Sequence, residues 1–229
     1  MTLSALLLVD VQYDFLPGGS LAVQSGDEVL PVIRELLKGN WEWVVASQDY
    51  HPPKHISFAS THSKDAFTSI HVPFPYAKEG EPSTIAQMLW PDHCVQNTHG
   101  AFIEESITNA LKPWFDKNRA SIIQKGTDIR VEAYSAFESP IVQPEESSLG
   151  KILKEHNIDT LFVVGIATDY CVRASALDAN KAGLNVFVIK EGVRAVGGEV
   201  ATEKVAKEWE KAGVRFVNFE DDVVKAWLG

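Results

Sequence analysis

The chain is short of cysteine: Cys94 and Cys171 are its only two in 229 residues. Two thiols cannot staple a small secreted domain, so stability must come from a buried core, and a reducing compartment is expected. Basic charge is also scarce, with 21 Lys and Arg against 31 Asp and Glu, a formal net charge of −10 and a pI of about 5.2. The lysines and arginines are scattered, and so acidic a chain repels a phosphate backbone. Nucleic acid is therefore excluded as the expected partner. No apolar run reaches the ~18 residues of a membrane span. The opening Met1-Thr2-Leu3-Ser4 leads straight into an apolar run, with no basic segment or cleavage site before it. Neither a membrane anchor nor a secretory signal is expected, and the cytoplasm is the expected compartment. Internal repeats, low-complexity tracts and linkers are missing too, which leaves one domain over residues 1–229 as the reading. Homo-oligomerisation is left open.

What is present is an alternation. Apolar runs occur at Ala5–Val11, Trp41–Ser47, Ser121–Gln124, Thr160–Gly165, Asn185–Ile189 and Arg215–Asn218. Continuous runs of this length suit strands buried on both faces of a parallel sheet. Between them lie helix signals at Asp27–Lys38, Ile103–Leu111, Ser148–His156, from Thr168 or Asp169 to Gly183, at Thr202–Ala212, and near Asp221–Leu228. Glycines 39, 183 and 213 stand where helices stop, free to take positive φ. The pattern predicts a doubly wound α/β fold with a mostly parallel sheet and helices on both faces. Residues 49–119 depart from it, with one clear helix candidate and no strong strand. A long segment holding Trp90, Trp114 and several other aromatics is too apolar for disorder, so an ordered, site-building insertion is expected.

Three residues stand out at strand ends. Cys171 follows the run that closes at Gly165 and falls in the first turn of the next helix. There the helix dipole and free backbone N–H groups favour a thiolate and can receive an oxyanion. Asp10 ends Leu6-Leu7-Leu8-Val9-Asp10, and Lys125 ends Ile122-Ile123-Gln124-Lys125. Each puts a charge where a core strand should hold a hydrophobe, a cost that pairing the two would offset. Asp49 and His51 stand two apart in an extended stretch and so face the same way, and His93 could supply a third ligand to one ion. An Asp with two His leaves coordination positions open; Cys94 is the competing ligand. His55, His62, His71 and His99 read as surface or packing residues.

These residues lie in blocks that resemble the isochorismatase-like hydrolase superfamily and, within it, the nicotinamidase branch. The blocks are Leu8-Val9-Asp10-Val11-Gln12-Tyr13-Asp14-Phe15, Ser47-Gln48-Asp49-Tyr50-His51-Pro52, Trp90-Pro91-Asp92-His93-Cys94, Lys125-Gly126, Tyr134-Ser135-Ala136-Phe137 and Gly165-Ile166-Ala167-Thr168-Asp169-Tyr170-Cys171-Val172. The resemblance covers nearly the whole chain. It implies a six-stranded parallel sheet, a catalytic triad of Asp10, Lys125 and Cys171, and an oxyanion hole from the N–H groups of Ala167 and Cys171, with a cis bond before Ala167. It also implies one divalent ion, usually zinc, on Asp49, His51 and His93, and a ring pocket walled by Phe15, Trp90, Tyr134 and Phe137. The implied reaction turns nicotinamide into nicotinic acid and ammonia through a cysteine thioester, in NAD salvage, with pyrazinamide as a second substrate. Another amidohydrolase of the superfamily, acting on a carbamoyl or small carboxamide group, is the alternative; it would not need the metal ligands. An isochorismatase typically lacks the cysteine, and a binding scaffold would be expected to lose a triad member.

Overall fold

The computed structural model describes residues 3–228. Six strands make one wholly parallel sheet: β1 (Ser4–Val9), β2 (Trp43–Asp49), β5 (Ala120–Lys125), β6 (Thr160–Ile166), β7 (Asn185–Arg194) and β8 (Arg215–Val217). Two further strands, β3 (Ser69–Pro73) and β4 (Thr84–Met88), pair as a separate antiparallel hairpin. The main sheet runs β5-β2-β1-β6-β7-β8. The chain begins at the centre, builds outward to β2 and β5, then returns to the other side of β1. The winding direction therefore reverses between β1 and β6, and a crevice opens at their carboxyl ends.

The two central strands are buried at every position, which is why they read as unbroken apolar runs. Alternation divides their side chains between two cores. Leu6 and Leu8 meet α1 (Val29–Leu36), α3 (Glu105–Asp116) and the terminal turn α7 (Asp222–Lys225) on one face. Ala5, Leu7 and Val9 meet α4 (Ser148–Glu155), α5 (Arg173–Lys181) and α6 (Gly198–Ala212) on the other. No helix among the described residues is long and apolar enough to cross a membrane.

The differences from the sequence reading have local causes. The segment read as having no strong strand holds the β3–β4 hairpin and a single helical turn, α2 (Ala59–His62). Of the hairpin's ten residues only Val72 and Gln87 are buried, so no apolar run marks it. The helix read from Thr168 opens instead as a wider π turn over Thr168–Val172, before α5. Asp169 does not cap that turn: its carboxylate accepts the backbone N–H groups of Val196 and Gly197, both at 2.9 Å. Those bonds brace the chain as it enters α6, which begins four residues before the expected Thr202.

Candidate active site

Asp10 follows β1, Asp49 ends β2, Lys125 ends β5, and Cys171 lies in the turn after β6. Parallel strands point the same way, so all four arrive at one edge of the sheet. Asp49 and Lys125 are register partners across the β2–β5 ladder. The Lys125 ammonium is fully buried and lies 2.9 Å from Asp10 Oδ2, 2.9 Å from Asp49 Oδ1 and 3.3 Å from Cys171 Sγ. Carboxylate oxygens of Asp10 and Asp49 lie within 4.8 Å of the sulfur. Burial works against the Lys125 charge, but Asp10 and Asp49 outweigh it and push the ammonium well above its usual range. Asp10 goes the other way: burial lifts its carboxyl above the usual range, against the pull of Lys125. Ser47 steadies it, with Oγ donating to Asp10 Oδ1 at 2.7 Å.

Cys171 differs from the sequence expectation. A thiolate favoured by the helix end was expected, yet burial pushes the thiol well up, and Lys125 opposes this only in part. Burial thus favours the thiol form, with carboxylate oxygens of Asp10 and Asp49 close to the sulfur. The peptide bond between Ile166 and Ala167 is cis, and the Ala167 carbonyl accepts the N–H groups of Tyr170 and Val172, each at 3.1 Å.

Beside this group lie Asp49, His51 and His93, with one ligand atom from each inside 4.8 Å. His51 Nδ1 is 2.9 Å from the Gly126 carbonyl oxygen and His93 Nδ1 is 2.8 Å from that of Pro91. A carbonyl oxygen only accepts, so both Nδ1 atoms carry hydrogen, and both Nε2 atoms turn toward Asp49 Oδ2, at 3.2 and 3.5 Å. His51 Nε2 is buried and has no hydrogen-bond partner. The close approach needs glycine at 126, where φ is +64° and a Cβ would stand 2.4 Å from the His51 ring. Burial disfavours charge on His51, but Asp49 and Glu132 would hold a proton there up to about 9. A divalent cation answers the same field, and the donor set fits one.

Two other groupings of ligand-type side chains hold no such opening. Lys125 fills the space among Asp10, Asp49 and Cys171. In the group of His51, His55 and Glu132, His55 spends both ring nitrogens, on Ser57 Oγ at 2.8 Å and on the carbonyls of Asp128 and Val131 at 3.1 and 3.2 Å. Cys94 is free and buried, with its sulfur 3.9 Å from the Gly100 carbonyl oxygen and its thiol pushed up by burial. It joins none of these groups. His62 is bound to the Ile56 carbonyl and His99 stacks on Tyr13, away from the ligand set.

Of the aromatics, Phe15 packs 5.6 Å from the His93 ring, and the Trp90 indole donates to the Tyr134 hydroxyl at 3.1 Å. Phe137 shares its buried cluster with Cys171, and Tyr134 and Tyr170 pack against that cluster. Phe137 is fully buried in the core with Leu149 and Leu153 beneath α4, and no ring contact joins it to Trp90 or Tyr134. Tyr170, which the sequence reading did not single out, stands edge-on to Trp90 at 4.7 Å and 5.5 Å from Tyr134. Its place in the block before Cys171 was the available signal. Gln12 was missed as well: its amide brackets Asp49, accepting from the backbone N–H and donating to the carbonyl, both at 2.8 Å. It replaces the ladder partner that β1 no longer supplies once it turns off at Asp10.

Fold and site together define the class: a doubly wound α/β enzyme with a thiol, a carboxylate and an ammonium at its switch point. The isochorismatase domain family matches residues 4–221, and the chain belongs to that family. It is 39% identical over 223 residues to the nicotinamidase of Acinetobacter baylyi, covering 96% of this chain and 94% of the relative. The yeast nicotinamidase bound to the inhibitor nicotinaldehyde superposes with a TM-score of 0.86 at 30% identity, over 94% of this chain and all of that one (100%). The pyrazinamidase of Pyrococcus horikoshii in complex with zinc gives 0.68 at 33% identity, over 94% of this chain and 99% of that one.

Proposed function

We propose that this protein hydrolyses nicotinamide to nicotinic acid and ammonia through a thioester on Cys171, in the cytoplasm and in the service of NAD salvage, and that it also accepts pyrazinamide. One observation carries the reading: Lys125 binds Asp10 and Cys171 in a single buried cluster, next to an Asp-His-His set with open valence.

Asp10 takes the thiol proton as Sγ attacks the carboxamide carbon. Lys125 holds both partners and offsets the negative charge that passes from oxygen to sulfur. The N–H groups of Ala167 and Cys171 receive the oxyanion of the tetrahedral intermediate. Asp10 then returns the proton to the leaving nitrogen, the C–N bond breaks, and ammonia departs from a thioester. A water molecule that gives its proton to Asp10 adds to the thioester carbon, the C–S bond breaks, sulfur recovers the proton, and nicotinic acid leaves. Asp49, His51 and His93 would hold one divalent ion, most simply zinc, which supplies a binding position for the ring nitrogen. Phe15, Trp90, Tyr134 and Tyr170 wall the ring, which fixes the carboxamide against Sγ.

The test is ammonia release from nicotinamide, pyrazinamide and benzamide. Benzamide keeps the shape and the amide but has no ring nitrogen, so a site built to bind that nitrogen is left unsatisfied. A loss of about 10²-fold or more in kcat/KM is expected, equivalent to about 2.7 kcal/mol. Equal cleavage of benzamide would move the broader amidohydrolase reading ahead.

A further inference from the structure

Glu132 takes no part in the chemistry above, yet its side chain is only 3% exposed and its Oε2 lies 3.7 Å from His51 Nε2. A carboxylate taken out of water costs several kcal/mol unless a partner offsets it. The single buried ammonium among the described residues, Lys125, is already bound to Asp10 and Asp49. Oε1 accepts the backbone N–H of Ala133 at 2.9 Å, which satisfies a hydrogen bond but not a charge. His55 packs against the same corner with both nitrogens committed elsewhere.

Among the described residues the buried carboxylates are Asp10, Asp49 and Glu132, and all three belong to this one cluster. Three carboxylates against one ammonium leave negative charge in excess, which a cation held in the ligand set offsets. Glu132 does not reach the ligand set itself. Its oxygens group with His51 and His55 inside 4.8 Å, and not with Asp49 and His93.

We propose that Glu132 is a positioning residue of the metal centre, setting its preference for a divalent ion through the field it adds from outside the ligand set. This rests on Asp49, His51 and His93 being the metal ligands. A consequence separates it from an ordinary structural role. The ion-free protein keeps the Glu132–His51 contact, so the mark of a positioning role is that neutralising Glu132 weakens the ion's hold and shrinks the stability that zinc adds. A residue needed only for packing would lower stability equally in both states and leave zinc affinity unchanged.

Glu132→Gln keeps the shape and the contact to Ala133, and Glu132→Leu serves as a second neutral variant. On the full chain, zinc affinity is measured by competition with a chromophoric chelator, and the melting temperature is measured on chelator-stripped protein with and without added zinc. Zinc should bind ~10–100-fold more weakly, the usual loss when a residue supporting a metal ligand is removed. The rise in melting temperature on adding zinc should shrink relative to the wild type. Zinc affinity equal to wild type in a folded variant overturns the proposal and leaves the metal reading intact. Variants that do not fold, or that melt lower by the same amount with and without zinc, make Glu132 a structural residue and also overturn it. A wild-type protein that binds no zinc removes the metal reading itself.

Discussion

Burial with or without an attendant ammonium separates the two cysteines. Cys94 is sealed in the core with its thiol pushed up by burial, its sulfur faces the Gly100 carbonyl oxygen, and among the described residues no ammonium is bound to it. Cys171 is pushed up in the same way, but Asp10 and Lys125 stand beside it. Reactivity therefore depends on how Asp10 keeps its charge in a site that disfavours charge. Burial raises Asp10, and Lys125 and the Ser47 hydroxyl oppose that rise. In the proposed mechanism Asp10 must be ionised to act, so activity falls as pH drops through its pKa, and the acid limb of kcat/KM should lie above the ~3.9 of an ordinary aspartate. Ser47→Ala removes the bond that favours the ionised form. The limb should then move up by about half a unit to one unit, the size of one such hydrogen bond. A pH–rate profile decides it: a limb that stays put or moves down would remove Asp10 as the base.

The elements hold the site by bonds that cross between them. Strand β6 can lie against β1 because Gly165, at φ +124°, has no Cβ; one would stand 2.0 Å from the Val9 carbonyl oxygen. The turn that carries Cys171 is tied to α6 by the two bonds from Asp169 to Val196 and Gly197. Asp169→Ala leaves both N–H groups without their acceptor at the entry to α6, a loss comparable to removing a helix cap. It should cost about 1–2 kcal/mol in a denaturant titration. It should also lower kcat more than it raises KM, because it loosens the turn beneath the nucleophile and leaves the aromatic walls in place. A variant with unchanged stability would show that α6 does not depend on this brace.

At the scale of the whole molecule, the buried charge surplus links metal to stability. The fold assembles Asp49, His51 and His93 from β2 and from a loop more than forty positions further along the chain, and the unfolded chain has no such site. A ligand that binds only the folded state stabilises it by mass action, about 2.7 kcal/mol at a hundred times Kd. For a domain of this size that is a rise of roughly 5–10 °C in Tm. Calorimetry of chelator-stripped protein with and without added zinc should show the rise, and Asp49→Ala should abolish it. The same Tm in both states of the wild type would mean that the ligand set holds no ion.

The sequence by itself determined the doubly wound sheet, because strands covered on both faces must be apolar throughout and so announce themselves. It also exposed Asp10 and Lys125, since a charge at the end of such a run is an anomaly that local reading detects. Asp49, His51 and His93 were legible as a ligand-type set, but only folding could bring His93 to the other two. The β3–β4 hairpin left no trace, because a mostly exposed hairpin needs no apolar run. Phe137 was read as a pocket wall and is fully buried in the cluster that also holds Cys171, and Tyr170 was passed over and joins the aromatic group. The direction a ring faces depends on the helix laid across it, not on its neighbours in the chain. Glu132 carried no signal, since a glutamate in a loop looks solvated until the fold buries it. Its setting follows from His51, 81 positions away in the chain, and such distant pairs are decided by tertiary structure because charge acts through space and not along the backbone.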